Sequence, residues 1–349
     1  MSKLFLKRHT KIFIWIVVLL AGLLLFPVLY EKYKIYEFIS LIESDPYYVT
    51  DEITGHGHTP NYRSAIPWPE GDSIIKQTNN FGFVETGNTL VEKPDSMFRI
   101  LITGDSHIDG VVSTNESFPN VLETELNKFP NAKKAEVINA GVGFYSFQNY
   151  DGVIKKYSKL KPDLFIVTVY TGNDFIEGYL YEKENQSALT SLQTFWYRLK
   201  KGYFQWQTNA ASTQSTNQIL FFKTFPDKKE KALLIAQQQF LEIKKQCTDN
   251  GTALLIVLLP SKLESEAEFK EKVLGKSKWS EAEININKEL SSSLETWLKK
   301  QEIHCINVTS QFETIERKLF WDTDEHLNKT GHLFLARIVL DKYNSDDTE

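Results

Sequence analysis

From residue 97 onward, short apolar runs alternate with longer segments whose hydrophobic positions recur every three to four residues. The short runs are 98–103, 135–139, 163–170, 252–259 and 304–308. Two of them, 163–170 and 252–259, are almost continuously apolar, as expected of strands buried on both faces. Phe118, Leu122, Leu126 and Phe129 predict a helix over 117–129. Further helices are predicted over 147–160, closed by Lys161-Pro162, and over 280–301. Ala236, Phe240, Ile243 and Cys247 share one helical face, and Leu335, Ile338 and Val339 point inward from a final helix running to about Tyr343. Cys247 and Cys305 both fall on core positions. Strands alternating with helices at these intervals predict an α/β fold, a three-layer α/β/α doubly wound parallel sheet.

Three stretches break the rhythm. Residues 12–30 carry no charge, IFIWIVVLLAGLLLFPVLY, and are long enough to cross a bilayer. Lys3, Lys7, Arg8 and Lys11 flank them on the N-terminal side, which the positive-inside rule places in the cytoplasm. A cleavable signal peptide would have a shorter apolar core ending in small residues; Leu25-Phe26-Pro27-Val28-Leu29 offers none. The expectation is a basic cytoplasmic tail over 1–11 and an uncleaved transmembrane signal anchor over 12–30, with the rest of the chain extracytoplasmic. Residues 31–95 show few periodic runs and read as a juxtamembrane stalk with an irregular N-terminal extension. There His56 and His58 form an H-x-H pair without further ligands, expected in a solvated loop. Residues 176–227 interrupt the α/β domain of 96–345 with an aromatic-rich insertion, expected as a lid or substrate wall, or as an excursion packed on the core.

Charge narrows the partners. The formal net charge is −5, but four of the 40 basic residues precede any acid, leaving 36 basic against 45 acidic residues beyond the span. A negative ectodomain argues against a nucleic-acid surface. Two cysteines are too few for a disulfide framework.

Polar residues collect where the predicted strands end, the edge at which open α/β sheets bind ligands. Gly104-Asp105-Ser106 follows the first strand, Gly141-Val142-Gly143 the second and Gly172-Asn173-Asp174 the third. Asp322 to His332 precedes the last helix. Together they divide the work of acyl transfer. Ser106 is the candidate nucleophile and needs a base. His326 is the candidate base, and Asp324 the acid that orients it. The backbone N–H groups of Ser106 and Gly143 and the amide of Asn173 are candidate oxyanion donors. His107 is read as a wall or packing residue. Gly141-x-Gly143-x-x-Ser146 lacks the third glycine of a dinucleotide fingerprint, and no Gly-x-Ser-x-Gly elbow surrounds Ser106. This chemistry requires neither metal nor cofactor.

In order, these motifs resemble those of the SGNH (GDSL-type) hydrolases, over roughly 98–343. Ser106 matches the serine of that family's first block, Asn173 the asparagine of its third and His326 the histidine of its fifth. Asn80-Phe81-Gly82-Phe83 and Lys93-Pro94 resemble the lead-in of membrane-anchored bacterial members. Asn139-Ala140-Gly141-Val142-Gly143 is one residue shorter than the usual second block, so Gly141 stands in reserve behind Gly143. The acid lies two rather than three residues before the histidine, with Asp322 as fallback; Asp324-x-His326 matches the D-x-H form of relatives acting on surface polysaccharides. The resemblance implies a serine esterase acting on an ester substrate, an acylated glycan or lipid. Two other readings stay open: a cell-envelope glycan O-acetyltransferase with the same triad, and a non-catalytic envelope binding protein on the same scaffold.

Overall fold

The computed structural model describes residues 2–129, 133–182, 188–208 and 213–346. Helix α1 (Ser2–Ser44) contains the uncharged run. Among the described residues it is the one helix long and apolar enough to cross a membrane, and its side chains from Ile12 to Leu23 stand exposed. From Pro27 to Ile42 one flank turns inward: Pro27 and Ile42 are buried, and Tyr30, Glu31, Lys34 and Phe38 are half-buried.

Between 45 and 95 the chain is more ordered than its lack of periodicity suggested. Strands β1 (Tyr48–Asp51) and β2 (Gly55–His58) form one antiparallel hairpin, and β3 (Arg63–Ile66) and β4 (Ile74–Gln77) another. Each strand has four residues, too short for a period-2 signal.

The α/β domain then follows as β5 (Met97–Thr103), α2 (Ser106–Asp109), α3 (Phe118–Leu126), β6 (Lys134–Asn139), α4 (Phe147–Tyr157) and β7 (Leu164–Tyr170). Next come α5 (Asp174–Tyr181), α6 (Ala188–Thr208), α7 (Gln214–Thr224), α8 (Pro226–Asn250) and β8 (Ala253–Leu259). The chain closes with α9 (Lys262–Ser265), α10 (Ala267–Ser277), α11 (Glu281–Ile284), α12 (Ile286–Lys300), β9 (His304–Asn307), α13 (Thr309–Thr314) and α14 (Lys329–Asp346). The helix expected over 280–301 is two: a Ser280–Glu283 capping box starts α11, and Asn285 leaves helical geometry before α12.

The five strands of the domain are all parallel, in the order β6-β5-β7-β8-β9. Period-2 alternation sends their side chains to opposite faces. Ile100 and Ile102 join one apolar cluster with Phe118 and Leu122 of α3, Phe312 of α13 and Leu335 and Val339 of α14. Leu101 joins the other, with Phe165 and Val167 of β7, Tyr150 of α4, Phe240 and Cys247 of α8 and Leu294 of α12. Helices therefore cover both faces of the sheet, giving three layers. Chain direction across the sheet reverses between β5 and its neighbours β6 and β7, so the carboxyl ends of these three strands form the crevice where such sheets bind ligands.

Candidate active site

Ser106 stands at the centre of that crevice. Gly104 lets β5 turn sharply: a Cβ there would lie 2.3 Å from Ile108 Cγ1 and 2.9 Å from the Thr168 carbonyl oxygen. Asp105 caps α2, its carboxylate accepting from the His107 N–H at 2.8 Å, which puts Ser106 in the first turn. Ser106 Oγ lies 2.7 Å from His326 Nε2. On its other side His326 Nδ1 bonds Asp324 Oδ1, and the same oxygen accepts from the His326 backbone N–H at 2.7 Å. Asp322 faces away: it pairs with Lys318 on the exposed surface. Of the two acids read from the sequence, Asp324 is the one in contact with His326.

This chain of contacts can pass a proton from Ser106 to His326. Burial raises the Asp324 carboxyl, but the hydrogen bond and charge of His326 outweigh it and hold the group below the usual carboxylate range. Burial would lower the His326 imidazole, yet Asp324 raises it above its ordinary value of 6.5. A general base must be neutral, so activity should rise with pH and reach half its plateau above pH 6.5. A kcat/KM profile checks this; a midpoint below 6.5 would contradict the assignment. His107 lies buried, stacked on Tyr170 with ring centroids 3.7 Å apart and 4.7 Å from the His326 ring. It packs the wall of the site, and burial holds it well below the usual imidazole range.

Two of the oxyanion candidates lie in the loops that follow the strands flanking β5. Gly143 lies beside Ser106: a Cβ built on it would be 2.7 Å from the Tyr48 hydroxyl and 3.9 Å from the Ser106 Cβ. Gly141 instead packs on α2, where a Cβ would meet the Asp109 nitrogen at 2.6 Å. Asn173, at the end of β7, is buried and gives one amide hydrogen to Glu177 Oε1 at 2.8 Å. Burial, together with the charge of Asp105, pushes Glu177 up to about 8.

The N-terminal hairpins supply residues that the sequence reading missed. His56 and His58 are not in a solvated loop: both are buried in β2. His56 Nε2 donates to the Gly143 carbonyl at 2.8 Å, fixing the peptide beside Ser106. His58 Nε2 lies 3.6 Å from Asp109 Oδ2 in α2. Tyr47 donates its hydroxyl to Asp109 at 2.8 Å, and the buried Lys76 of β4 reaches Asp109 Oδ1 at 2.7 Å. Lys76 also bonds the carbonyls of Asp109 and Gly110. Phe38 of α1 packs on Phe144, the next residue after Gly143, with ring centroids 5.4 Å apart; Phe144 holds a left-handed φ of 68°. The H-x-H spacing was the available signal, and its alternation matches a strand with one buried face.

Removing one partner of a buried ion pair leaves the other charge uncompensated and costs about 3–5 kcal/mol. Lys76→Ala should lose about that much stability in urea unfolding at neutral pH. The deficit should shrink as pH falls through the carboxylate range, because protonating Asp109 removes the unpaired charge.

The insertion divides into two parts. Helix α7 buttresses the site: the Ser215 hydroxyl donates to buried Glu325 at 2.9 Å, and Gln218 Nε2 donates to the Thr171 carbonyl at 2.7 Å. It thus grips the loop bearing His326 and the loop bearing Asn173. Helix α6 lies further out, against α1. Among the described residues no group of three or more His, Cys, Asp or Glu side chains is placed to hold a metal ion.

No family model matches the chain, and no curated protein matches it. Solved structures do. An acetyl xylan esterase is 13% identical, with a TM-score of 0.42 over 70% of this chain and 99% of its own. A catalytic mutant of an acetylxylan esterase from Geobacillus stearothermophilus is 12% identical, with a TM-score of 0.41 over 70% and 93%. A GDSL-like lipase from Bacteroides thetaiotaomicron is 10% identical, with a TM-score of 0.37 over 72% and 89%.

Proposed function

We propose that the chain is a serine esterase of the SGNH (GDSL-type) class, anchored to a membrane by residues 12–30 with its 96–345 domain outside the cytoplasm. The observation that carries this reading is the unbroken contact chain from Ser106 through His326 to Asp324, at the carboxyl edge of a parallel sheet with Gly143 beside the serine. His326 takes the Ser106 proton as Oγ attacks the ester carbonyl. The developing oxyanion is met by the N–H groups of Ser106 and Gly143 and by the free amide hydrogen of Asn173. His326 then returns the proton to the leaving alcohol, and water, activated by the same imidazole, releases the acid from the acyl-enzyme. The cluster of basic residues before the span supports a cytoplasmic N-terminus.

The test is hydrolysis of activated esters of graded acyl length, with and without a glycan acceptor, before and after treatment with a serine-directed organophosphate. Turnover by the untreated protein, abolished by treatment as a single phosphoryl adduct forms on Ser106, is the expected result. Turnover without that adduct would discard Ser106 as nucleophile. Acyl groups recovered on the glycan instead of as free acid would make the protein a transferase.

A further inference from the structure

Helix α6 is wedged between the body of the domain and the stretch of α1 that emerges from the uncharged span. On one flank Phe195 packs edge-on against both Phe26 and Tyr30, each with ring centroids 5.5 Å apart. One turn on, Arg198 Nε bonds Glu31 Oε1 at 2.9 Å, Glu31 being the first charged residue after the span. On another flank buried Tyr197 packs on Phe221, and Phe204 stacks on Trp279 at 4.8 Å. The inward flank of α1 thus meets α6 at residues 26–31 and meets the nucleophile's surroundings only later, at Phe38. Helix α6 therefore belongs to the membrane-proximal end of the body.

Its third flank is covered by nothing among the described residues. Trp196, Leu199, Tyr203 and Trp206 recur at helical spacing along it, and all are exposed, Trp206 by 77%. Lys200 lies in the same stripe, with Arg198 and Lys201 alongside, and the 21 residues of α6 contain no Asp or Glu. An amphipathic helix with Trp and Tyr on its apolar face, Lys and Arg among them and no acids is the composition that settles at a lipid–water interface. Phe26, which Phe195 touches, is itself exposed, as are Leu25 and Leu29 beside it on α1.

We infer that α6 is a membrane-surface helix, its Trp196, Leu199, Tyr203 and Trp206 face resting among the headgroups of an anionic bilayer beside the anchor. This rests on the reading of 12–30 as a membrane span. The insertion would then be a second point of attachment that fixes how the body stands on the membrane, and not a lid.

The seven tryptophans make this measurable, because Trp15 lies inside the span and reports insertion independently. The full chain is reconstituted into vesicles of phosphatidylcholine and phosphatidylglycerol with brominated acyl chains, and Trp emission is compared with that in unbrominated vesicles. Trp15→Phe should remain clearly quenched. Adding Trp196→Phe and Trp206→Phe should reduce that quenching several-fold, with circular dichroism confirming that each variant is folded. If the parent is quenched and Trp15→Phe is not, α6 stands in water or against a second copy and the inference falls. If quenching survives the triple substitution, another surface faces the lipid and it falls as well. An unquenched parent would remove the anchor reading and the inference with it. Vesicles of phosphatidylcholine alone should quench Trp15→Phe less; equal quenching would overturn the electrostatic part.

Discussion

Ser106→Ala should lower kcat for ester hydrolysis by about 10⁴–10⁶-fold, the range seen when the nucleophile of a Ser-His-Asp unit is removed. The loss should appear in kcat with little change in KM, because the hydroxyl does its work in the transition state. What survives should be the small rate supplied by binding and the oxyanion donors alone. Stability should barely change, since among the described residues Oγ makes one hydrogen bond, to His326. Single-turnover kinetics on a short activated ester measure this. A variant within tenfold of the parent would remove Ser106 from the chemistry and favour the non-catalytic reading.

Asp324→Asn should cost about 10⁴-fold in kcat, by a different route. Asp324 Oδ1 meets both the backbone N–H and Nδ1 of His326. An acceptor there keeps the proton on Nδ1, leaving Nε2 free to accept from Ser106. An asparagine can place its Oδ1 there and keep both contacts, or turn its amide, in which case its NH₂ meets Nδ1 and selects the opposite tautomer. The charge that raises His326 is lost as well. The residual activity should therefore show its acid limb at lower pH than the parent. Asp322→Asn provides the contrast: that carboxylate is exposed and paired with Lys318, and its loss should change kcat less than about threefold. Equal losses in the two variants would show that Asp324 does not act through His326.

The sheet was readable because strands buried on both faces are spelled as uninterrupted apolar runs, and the carboxyl ends of β5, β6 and β7 carry the Gly, Asp, Ser and Asn that turn a chain sharply. Asp324 and His326 were readable for a local reason: two residues apart, they can meet without help from the fold. Buried polar residues were not readable in the same way. His56, His58 and Lys76 look like surface residues until their partners are seen, and the partners lie far away: 87 residues separate His56 from Gly143 and 33 separate Lys76 from Asp109. Glu325 is a similar case, its side chain buried against Ser215, 110 residues away. In the insertion, aromatic residues of opposite fate sit side by side: Tyr197 is core and Trp196 is exposed. Composition flagged the segment but could not sort them without the neighbouring helices.

The inward flank of α1 also sets a height. From Tyr30, where the uncharged span ends, to Phe38, which touches the loop beside Ser106, the helix climbs eight residues, about 12 Å at 1.5 Å per residue. Were the span seated in a bilayer as proposed, the Ser106 hydroxyl would be confined to a thin shell roughly a nanometre above the lipid. Turnover there would depend on how many ester groups occupy each unit area of that shell, not on how many are dissolved in the bulk. A fragment cut loose from its anchor would keep its kcat and lose this enrichment, so rates on material held at the envelope should fall further than rates on a freely diffusing ester.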